Sequence, residues 1–552
     1  MKKQWWKEAV CYQVYPRSFK DSNGDGIGDI NGITEKLDYL KDLGIDVIWI
    51  SPIYDSPNDD NGYDISDYQN IMSDFGTMED FDRLLIETHN RDMKLIMDLV
   101  VNHTSDEHPW FIESKSSVDS EYRDWYIWQD GKEGKEPNNW ASIFEGSAWE
   151  LDPVSNQYYF HTFSRKQPDL NWDNQKMRQS IYNMINWWLD KGIDGFRVDA
   201  ISHIKKSFDK GDIDNPDNLD YVPSFTRHMN QPGIQEYLEE VKEETFSKYD
   251  IMTVGEANGV TIEDSYEWVG EEVGKFNMVF QFEHLKLWEI HDKRLNILKY
   301  KNVLNAWQVG LHNKGWNALF IENHDRPRIP STWGSENYRY ESATAHGAVY
   351  FLQQGTPFIY QGQEIGMTNF PFKDISEFDD VHAKNIYNVE LANGRNADDI
   401  IADLQSNSRD NSRTPMQWDA SENAGFTNGT PWLKVNPNYK AINVEKELND
   451  ENSILNFYKK MIKFKKSHEI ATYGDFKLIY PEDENVFAYA RTLNDELLYV
   501  IGNLTSNPVK VSDSQIEFDS SDIVLNNYDI ESHRRQKTLD LKPFEVRVYH
   551  KG

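Results

Sequence analysis

The segments GFRVDAI at residues 195–201 and DLVVNH at residues 98–103 decide how the fold is interpreted. Each is a short apolar run that ends in polar side chains, which is typical of a buried parallel strand whose end carries function. Similar runs recur along the chain between stretches of helical period. The predicted strands are Val10–Phe19, Val47–Tyr54, Lys94–His103, Gly195–Ile201, Asp250–Ala257, Asn277–Phe282, Ala318–Asp325 and Thr356–Glu364. Eight strands alternating with helices predict a (β/α)8 TIM barrel in the α/β class.

Two long stretches interrupt this alternation. Residues 104–172 lack a helical period, which predicts a small inserted domain after strand 3. Residues 370–435 predict a further insertion that covers the barrel mouth. From residue 474 to residue 552 the apolar pattern changes to alternation, which predicts a C-terminal antiparallel β domain. The catalytic barrel is therefore expected over residues 1–103 and 173–473.

The charge and the cysteine content exclude several classes of protein. The 92 acidic residues outnumber the 58 basic ones and give a net charge of -34, which argues against nucleic acid as a partner. The single cysteine, Cys11, excludes an internal disulfide framework. No uncharged apolar run is long enough to span a bilayer, and no secretion signal stands at the N-terminus. We expect a cytoplasmic monomer without a membrane partner.

Three acidic residues lie at the ends of three different predicted strands. They are Asp199, Glu256 and Asp325, and in a TIM barrel such ends meet at one face. One buried carboxylate could simply form a structural ion pair, but converging acids raise one another's proton affinity and suit proton transfer. Two carboxylates about 5 to 5.5 Å apart can attack an anomeric carbon and protonate the leaving oxygen. Arg197, two residues before Asp199 on the same strand face, can hold Asp199 ionised.

Four segments in order resemble the motifs of glycoside hydrolase family 13, the α-amylase family. They are DLVVNH at 98–103, GFRVD at 195–199, GE at 255–256 and NHD at 323–325. The likeness begins at QVYPRSF, residues 13–19, and extends to the C-terminal β domain. QPDLN at residues 167–171 resembles a marker of the oligo-1,6-glucosidase and α-1,4-glucosidase branch.

The resemblance implies a role for each matching residue. Asp199 is implied to be the nucleophile, Glu256 the general acid/base and Asp325 the stabiliser of the transition state. Arg409 is implied to reach the terminal glucose from the second insertion, with Arg413 as a competing candidate. The implied substrate-binding residues are Asp60, Tyr63, His103, Phe144, Phe163, Gln167, Arg197, Ala200, His203, Asn258, Phe282, His324 and Arg409.

The loop after the first strand offers oxygen atoms at alternating positions. Asp21, Asn23, Asp25 and Asp29 contribute side chains and Ile27 a backbone carbonyl, which predicts one structural calcium ion. An EF-hand sensor is excluded because Gly32 stands where its bidentate Glu belongs. A plain turn without metal is the alternative. No organic cofactor is expected.

The expected activity is that of a retaining, exo-acting α-glucosidase. The branch resemblance associates Ala200, after the nucleophile, with α-1,4 substrates, so maltose and short malto-oligosaccharides are expected, with possible transglucosylation. His203 and Asn258 are expected to border the leaving sugar. The alternatives are an oligo-1,6-glucosidase, a sucrose isomerase or trehalose-active glucosidase, and a non-catalytic carbohydrate-binding relative. An Arg-Leu-Asp-Arg isomerase motif is absent from the sequence.

Overall fold

Eight parallel strands form the centre of the protein in this computed structural model, which describes residues 2–288, 295–512, 517–531 and 535–552. The strands are Cys11–Val14, Val47–Ile50, Lys94–Val100, Gly195–Asp199, Met252–Ala257, Met278–Gln281, Ala318–Leu319 and Thr356–Tyr360. Hydrogen bonds join them in the order sixth, fifth, fourth, third, second, first, eighth, seventh. The sixth and seventh strands approach within 8 Å between Cα atoms and close the ring. The predicted TIM barrel is confirmed, with every strand shorter than expected.

Helices cover the outside of the barrel and form parts of the insertions. The α-helices are Trp5–Glu8, Ile30–Glu35, Leu37–Leu43, Met78–His89, Pro109–Ser116, Gln175–Lys191, Phe225–His228, Ile234–Glu244, Ser265–Val269, Ile297–Leu311, Arg339–Phe351, Val381–Ala392, Ala397–Asn407, Asp410–Arg413, Val444–Asn449, Ile454–Ser467 and Ile470–Tyr473. The helix Gln175–Lys191 shows why such segments form. Asn174 caps its first turn by accepting from the N–H of Met177, and Gly192 ends it at φ 105°, a left-handed conformation that favours glycine.

Small sheets lie in the connection after the third strand. Trp128–Asp130, Gln157–Phe160 and Trp149–Asp152 form a three-stranded antiparallel sheet. The short strand Trp140–Ala141 pairs in parallel with Val222–Pro223, which follows the fourth barrel strand. Another pair, Tyr54–Asp55 with Asp67–Ile71, lies after the second barrel strand. Of these pairings, the one between Trp140–Ala141 and Val222–Pro223 joins segments that are far apart in sequence.

The C-terminal region is an antiparallel β structure, as predicted. Its five-stranded sheet has the order Asp475–Ile479, Val486–Leu493, Glu496–Asn503, Val546–Lys551 and Ile523–Asn526. Val509–Ser512 pairs separately with Thr538–Leu541. Arg491 fixes this sheet to the barrel by donating to the carbonyls of Leu352, Ala471, Thr472 and Gly474. The residue boundaries between domains remain a prediction.

Candidate active site

A cavity of 810 Å³ opens at the C-terminal ends of the barrel strands. Asp199, Glu256 and Asp325 all line it, so the three acids predicted to converge do so. The strand register explains part of this arrangement. Arg197 pairs with Asp98 across the third and fourth strands, and Val198 pairs with Gly255 across the fourth and fifth. Asp199 and Glu256 therefore leave neighbouring strands at the same level.

One guanidinium group connects three carboxylates beneath the cavity. Arg197 Nη1 lies 2.7 Å from Asp199 Oδ1 and 2.8 Å from Asp98 Oδ1, and Nη2 lies 3.0 Å from Glu256 Oε2. Arg197 is only 3% exposed, so these contacts are shielded from water. Asp98 also accepts from Tyr63 Oη and Trp49 Nε1. One guanidinium cation thus pairs with three carboxylates and cannot neutralise the charge of all three.

This excess charge favours retention of a proton in the cluster. Burial raises the pKa of Asp199 well above its ordinary value, and Glu256 and Asp98 add to the rise. Arg197 opposes the rise only in part, so the expectation that it holds Asp199 ionised is not met. Burial likewise raises the pKa of Asp98 to about 6, against the opposing charge of Arg197. Glu256 Oε2 accepts from the backbone N–H of Ala200 at 2.7 Å as well as from Arg197. Both of these donors contact the same oxygen of Glu256, Oε2.

Asp325 has the opposite balance of charge. Arg413 Nη2 lies 2.8 Å from its Oδ1 and Arg409 Nη1 lies 3.4 Å from the same atom. Burial disfavours its ionised form, but His324, Arg409 and Arg413 together hold its pKa below the ordinary value. Since burial lowers the pKa of His324 to about 3, that ring is neutral at pH 7 and the arginines supply the positive charge. Asp325 therefore stays ionised.

The neutral His324 has a defined tautomer. Gln13 Nε2, an amide donor, lies 2.8 Å from His324 Nδ1, which must accept. The proton is then on Nε2, 3.3 Å from Asp325 Oδ2. His324 also stacks on Tyr63 with ring centroids 5.2 Å apart. A neutral imidazole therefore directs an N–H donor toward Asp325 at the cavity.

A second ion-pair network, centred on Arg409, lies at the wall of the same cavity. Arg409 Nη2 lies 3.0 Å from Asp60 Oδ1, which joins the loop after the second strand to the insertion after the eighth. Asp380, in that insertion, also accepts from Arg409. The Arg409 guanidinium lies 4.9 Å from the ring centre of Phe144. Of the two competing arginines, Arg409 is on the cavity wall and Arg413 is fully buried behind Asp325.

Most of the predicted substrate-binding residues line the cavity. They are Asp60, Tyr63, His103, Phe144, Phe163, Ala200, His203, Asn258, Phe282, His324 and Arg409. Two others lie behind its wall. Arg197 acts through the carboxylates, and Gln167 is fully buried and donates to Asp60 Oδ2 at 3.2 Å. Gln167 therefore supports a wall residue instead of lining the cavity.

Several cavity residues gave no signal in the sequence. His382 and Asn407 come from the second insertion, and Phe225 and Met229 come from the segment after the fourth strand. His382 stacks on Phe144 with ring centroids 5.3 Å apart. None of these residues belongs to one of the quoted motifs. They reach the cavity through long-range packing of the second insertion and of the segment after the fourth strand.

The loop predicted to bind calcium is organised by its own hydrogen bonds. Asp21 accepts from the backbone N–H groups of Asn23, Gly24 and Gly26, and Asp29 accepts from Ser22 and Gly32. The oxygen donors suit a hard cation. Within the ranges that the structure describes, however, no group of three or more His, Cys, Asp or Glu side chains is placed to hold a metal ion. The structural calcium stays a prediction.

Comparison with known proteins agrees with this geometry. The family model described as "Alpha amylase, catalytic domain" matches residues 13–474. The probable oligo-1,6-glucosidase 3 of Bacillus subtilis (strain 168) is 57% identical over 551 residues, covering 100% of both chains. The oligo-1,6-glucosidase of Bacillus cereus is 51% identical over 564 residues, again covering 100% of both.

A solved structure gives the same result in three dimensions. The isomaltulose synthase of Protaminobacter rubrum superposes with a TM-score of 0.95 at 44% identity, with both chains covered completely. In the part of the chain that the structure describes, no helix has the length and apolar character needed to cross a bilayer. The motifs, the barrel and the full-length matches lead to one conclusion: the chain belongs to glycoside hydrolase family 13, the α-amylase family, and is a hydrolase.

Proposed function

We propose that the protein is a retaining, exo-acting α-glucosidase that removes terminal α-glucose from short α-1,6-linked oligosaccharides. The observation that carries the proposal is the pairing of Asp199 and Glu256 on Arg197 at the cavity floor. Two carboxylates held together in this way can serve as nucleophile and acid. The Asp60–Arg409 ion pair closes one side of the cavity. A cavity closed on one side accommodates the end of a sugar chain better than its middle.

The proposed reaction has two steps. Asp199 attacks the anomeric carbon as Glu256 protonates the departing glycosidic oxygen, so a glycosyl ester forms and the leaving sugar is released. Glu256 then removes a proton from water, whose oxygen bonds to the anomeric carbon and displaces Asp199. Ionised Asp325 and the neutral imidazole of His324 are placed to bind the sugar hydroxyls. Glucose leaves with its α configuration.

The linkage preference is the finer part of the proposal. The two relatives named above as oligo-1,6-glucosidases support α-1,6 bonds better than the α-1,4 preference expected from Ala200. The matching isomaltulose synthase keeps the sucrose isomerase alternative as a second candidate. The absence of the Arg-Leu-Asp-Arg motif from the sequence weighs against it.

Initial rates on isomaltose, maltose, sucrose and trehalose test the proposal. We expect the highest kcat/KM on isomaltose and the α anomer of glucose as the first product in NMR spectra. Release of β-glucose would contradict the retaining mechanism. Conversion of sucrose to an isomer without net hydrolysis would favour the second candidate.

A further inference from the structure

Two buried histidines meet edge to edge beside the cavity. His203 lines the cavity on the short turn that follows Ala200, and His228 ends the helix Phe225–His228. Their Nδ1 atoms are 2.8 Å apart, and the rings are 2% and 1% exposed. A contact this short between two ring nitrogens requires a proton on one of them and a lone pair on the other.

Ser224 fixes which histidine supplies that proton. Its Oγ lies 2.8 Å from the carbonyl oxygen of Ala141 and 3.1 Å from His228 Nε2. A carbonyl can only accept, so the single hydroxyl hydrogen of Ser224 is donated to Ala141. Pro223, the residue paired with Ala141 in the short parallel sheet, has no N–H and so cannot donate to the Ala141 carbonyl in place of Ser224. Ser224 must then accept from His228, which carries its proton on Nε2.

Both rings are neutral at physiological pH. Burial lowers the pKa of His203 to about 3 and that of His228 well below its ordinary value. Lys206 also disfavours the charged form of each ring, and Asp169, which pairs with Lys206 at 2.7 Å, opposes this for His203. A neutral His228 protonated on Nε2 accepts at Nδ1. His203 therefore donates from Nδ1 and keeps a lone pair on Nε2.

We propose that Ser224 and His228 are positioning residues that lock His203 in the tautomer whose Nε2 accepts a hydrogen bond from a hydroxyl of the leaving sugar. His203 follows Ala200, whose N–H contacts Glu256, the residue that protonates the leaving oxygen. The inference therefore assigns its ring to the leaving group. Among the described residues, no protein hydrogen bond uses His203 Nε2. The inference rests on the proposed function and names a determinant of its selectivity.

Paired substrates separate this role from a structural one. Isomaltose and p-nitrophenyl α-glucoside share the same terminal glucose, but only isomaltose has a leaving sugar with hydroxyl groups. We expect Ser224→Ala and His228→Leu to lower the ratio of kcat/KM for isomaltose to that for the aryl glucoside by roughly 3- to 10-fold. His228→Asn keeps an acceptor near the position of Nδ1 and should retain most of the wild-type ratio.

Ser265→Ala is the matched control. Ser265 is buried and donates to the carbonyl of Ile262, as Ser224 donates to Ala141, but it lies away from the cavity. It should leave the ratio unchanged. An unchanged ratio in Ser224→Ala, or an equal loss in His228→Asn and His228→Leu, would overturn the inference.

The tautomers are measured directly by 15N NMR of protein labelled at its histidines. We expect the proton of His203 on Nδ1 and that of His228 on Nε2, with the His203 signals assigned from their loss in His203→Gln. A proton on His203 Nε2 overturns the inference even where a variant fails to fold. Should the wild type cleave neither substrate, the proposed function is wrong, while the spectrum still decides the tautomer.

Discussion

Ala200→Val tests whether the residue after Asp199 influences the proposed linkage preference. Ala200 has φ 44° and ψ 28°, the left-handed region, and this conformation directs its N–H to Glu256 Oε2 at 2.7 Å. Any Cβ costs about 1 to 2 kcal/mol in this region, which Ala200 already bears, and a β-branched side chain is disfavoured further. The substitution therefore strains the backbone and adds two methyl groups at a cavity-lining position.

These two effects can be separated. The strain is present in the free enzyme, so it affects kcat/KM for isomaltose and maltose alike and cancels in their ratio. The ratio then reports only contacts between the valine side chain and the leaving sugar. Changes of methyl size are worth about 1 to 3 kcal/mol of discrimination, or roughly 10- to 200-fold. We expect the ratio of kcat/KM for isomaltose to kcat/KM for maltose to rise by about tenfold.

The strain itself appears in the melting temperature. A chain of 552 residues has an unfolding entropy of about 1.2 kcal/mol/K, so each kcal/mol of strain that valine adds lowers Tm by about 1 °C. Ala200→Gly is the control, because glycine adopts this conformation freely and adds no bulk. We expect it to leave the ratio close to wild type without the loss of Tm caused by valine. A valine variant that favours maltose, or whose ratio matches that of glycine, would refute the steric argument.

Three further predictions concern the acids and the loop. Asp199→Ala and Glu256→Gln should each lower turnover on p-nitrophenyl α-glucoside by several orders of magnitude. Azide should partly restore turnover only in Asp199→Ala, and the product should then have the inverted configuration. Near-normal turnover in Glu256→Gln would contradict the assignment. The pKa of Asp199 is higher in the folded than in the unfolded state, so its ionisation opposes folding at pH values above its ordinary pKa of 3.8. Asp199→Asn should therefore raise Tm at neutral pH and lose this advantage in acid, and a lower Tm at pH 7 would refute the charge argument. If residues 21–29 bind calcium, a chelator should lower Tm markedly while the reaction rate at low temperature changes little. If calcium added back to the chelated protein changes neither Tm nor the rate, the loop is a turn without metal.

The barrel could be predicted from the sequence because its signal is local. Each strand is a short apolar run, and the polar residues at its end remain visible in the sequence. The strand ends were less predictable. The seventh strand was expected over Ala318–Asp325 but covers only Ala318–Leu319. Beyond it the chain is held by side chains, since Glu322 pairs with Arg328 and Asp325 with Arg413.

The site was predictable only as far as its motifs extend. Gln167 stands in a motif and was expected to bind substrate, yet it supports Asp60 from behind. Ser224 and His228 lie outside every motif, and they reach His203 only because Val222–Pro223 pairs with Trp140–Ala141. Sequence patterns show which residue types are present, but the direction of a hydrogen bond depends on contacts between distant segments.

The ratio of cations to carboxylates gives chemically similar acids different roles. Asp98, Asp199 and Glu256 share Arg197, so their negative charge exceeds the available positive charge and a proton is retained among them. Burial together with the neighbouring carboxylates accordingly raises the pKa of Asp199 and of Asp98. Asp325 instead has two arginines and remains an anion. Carboxylates with raised and with lowered pKa can therefore share one cavity at one pH, because the number of neighbouring cations differs between them.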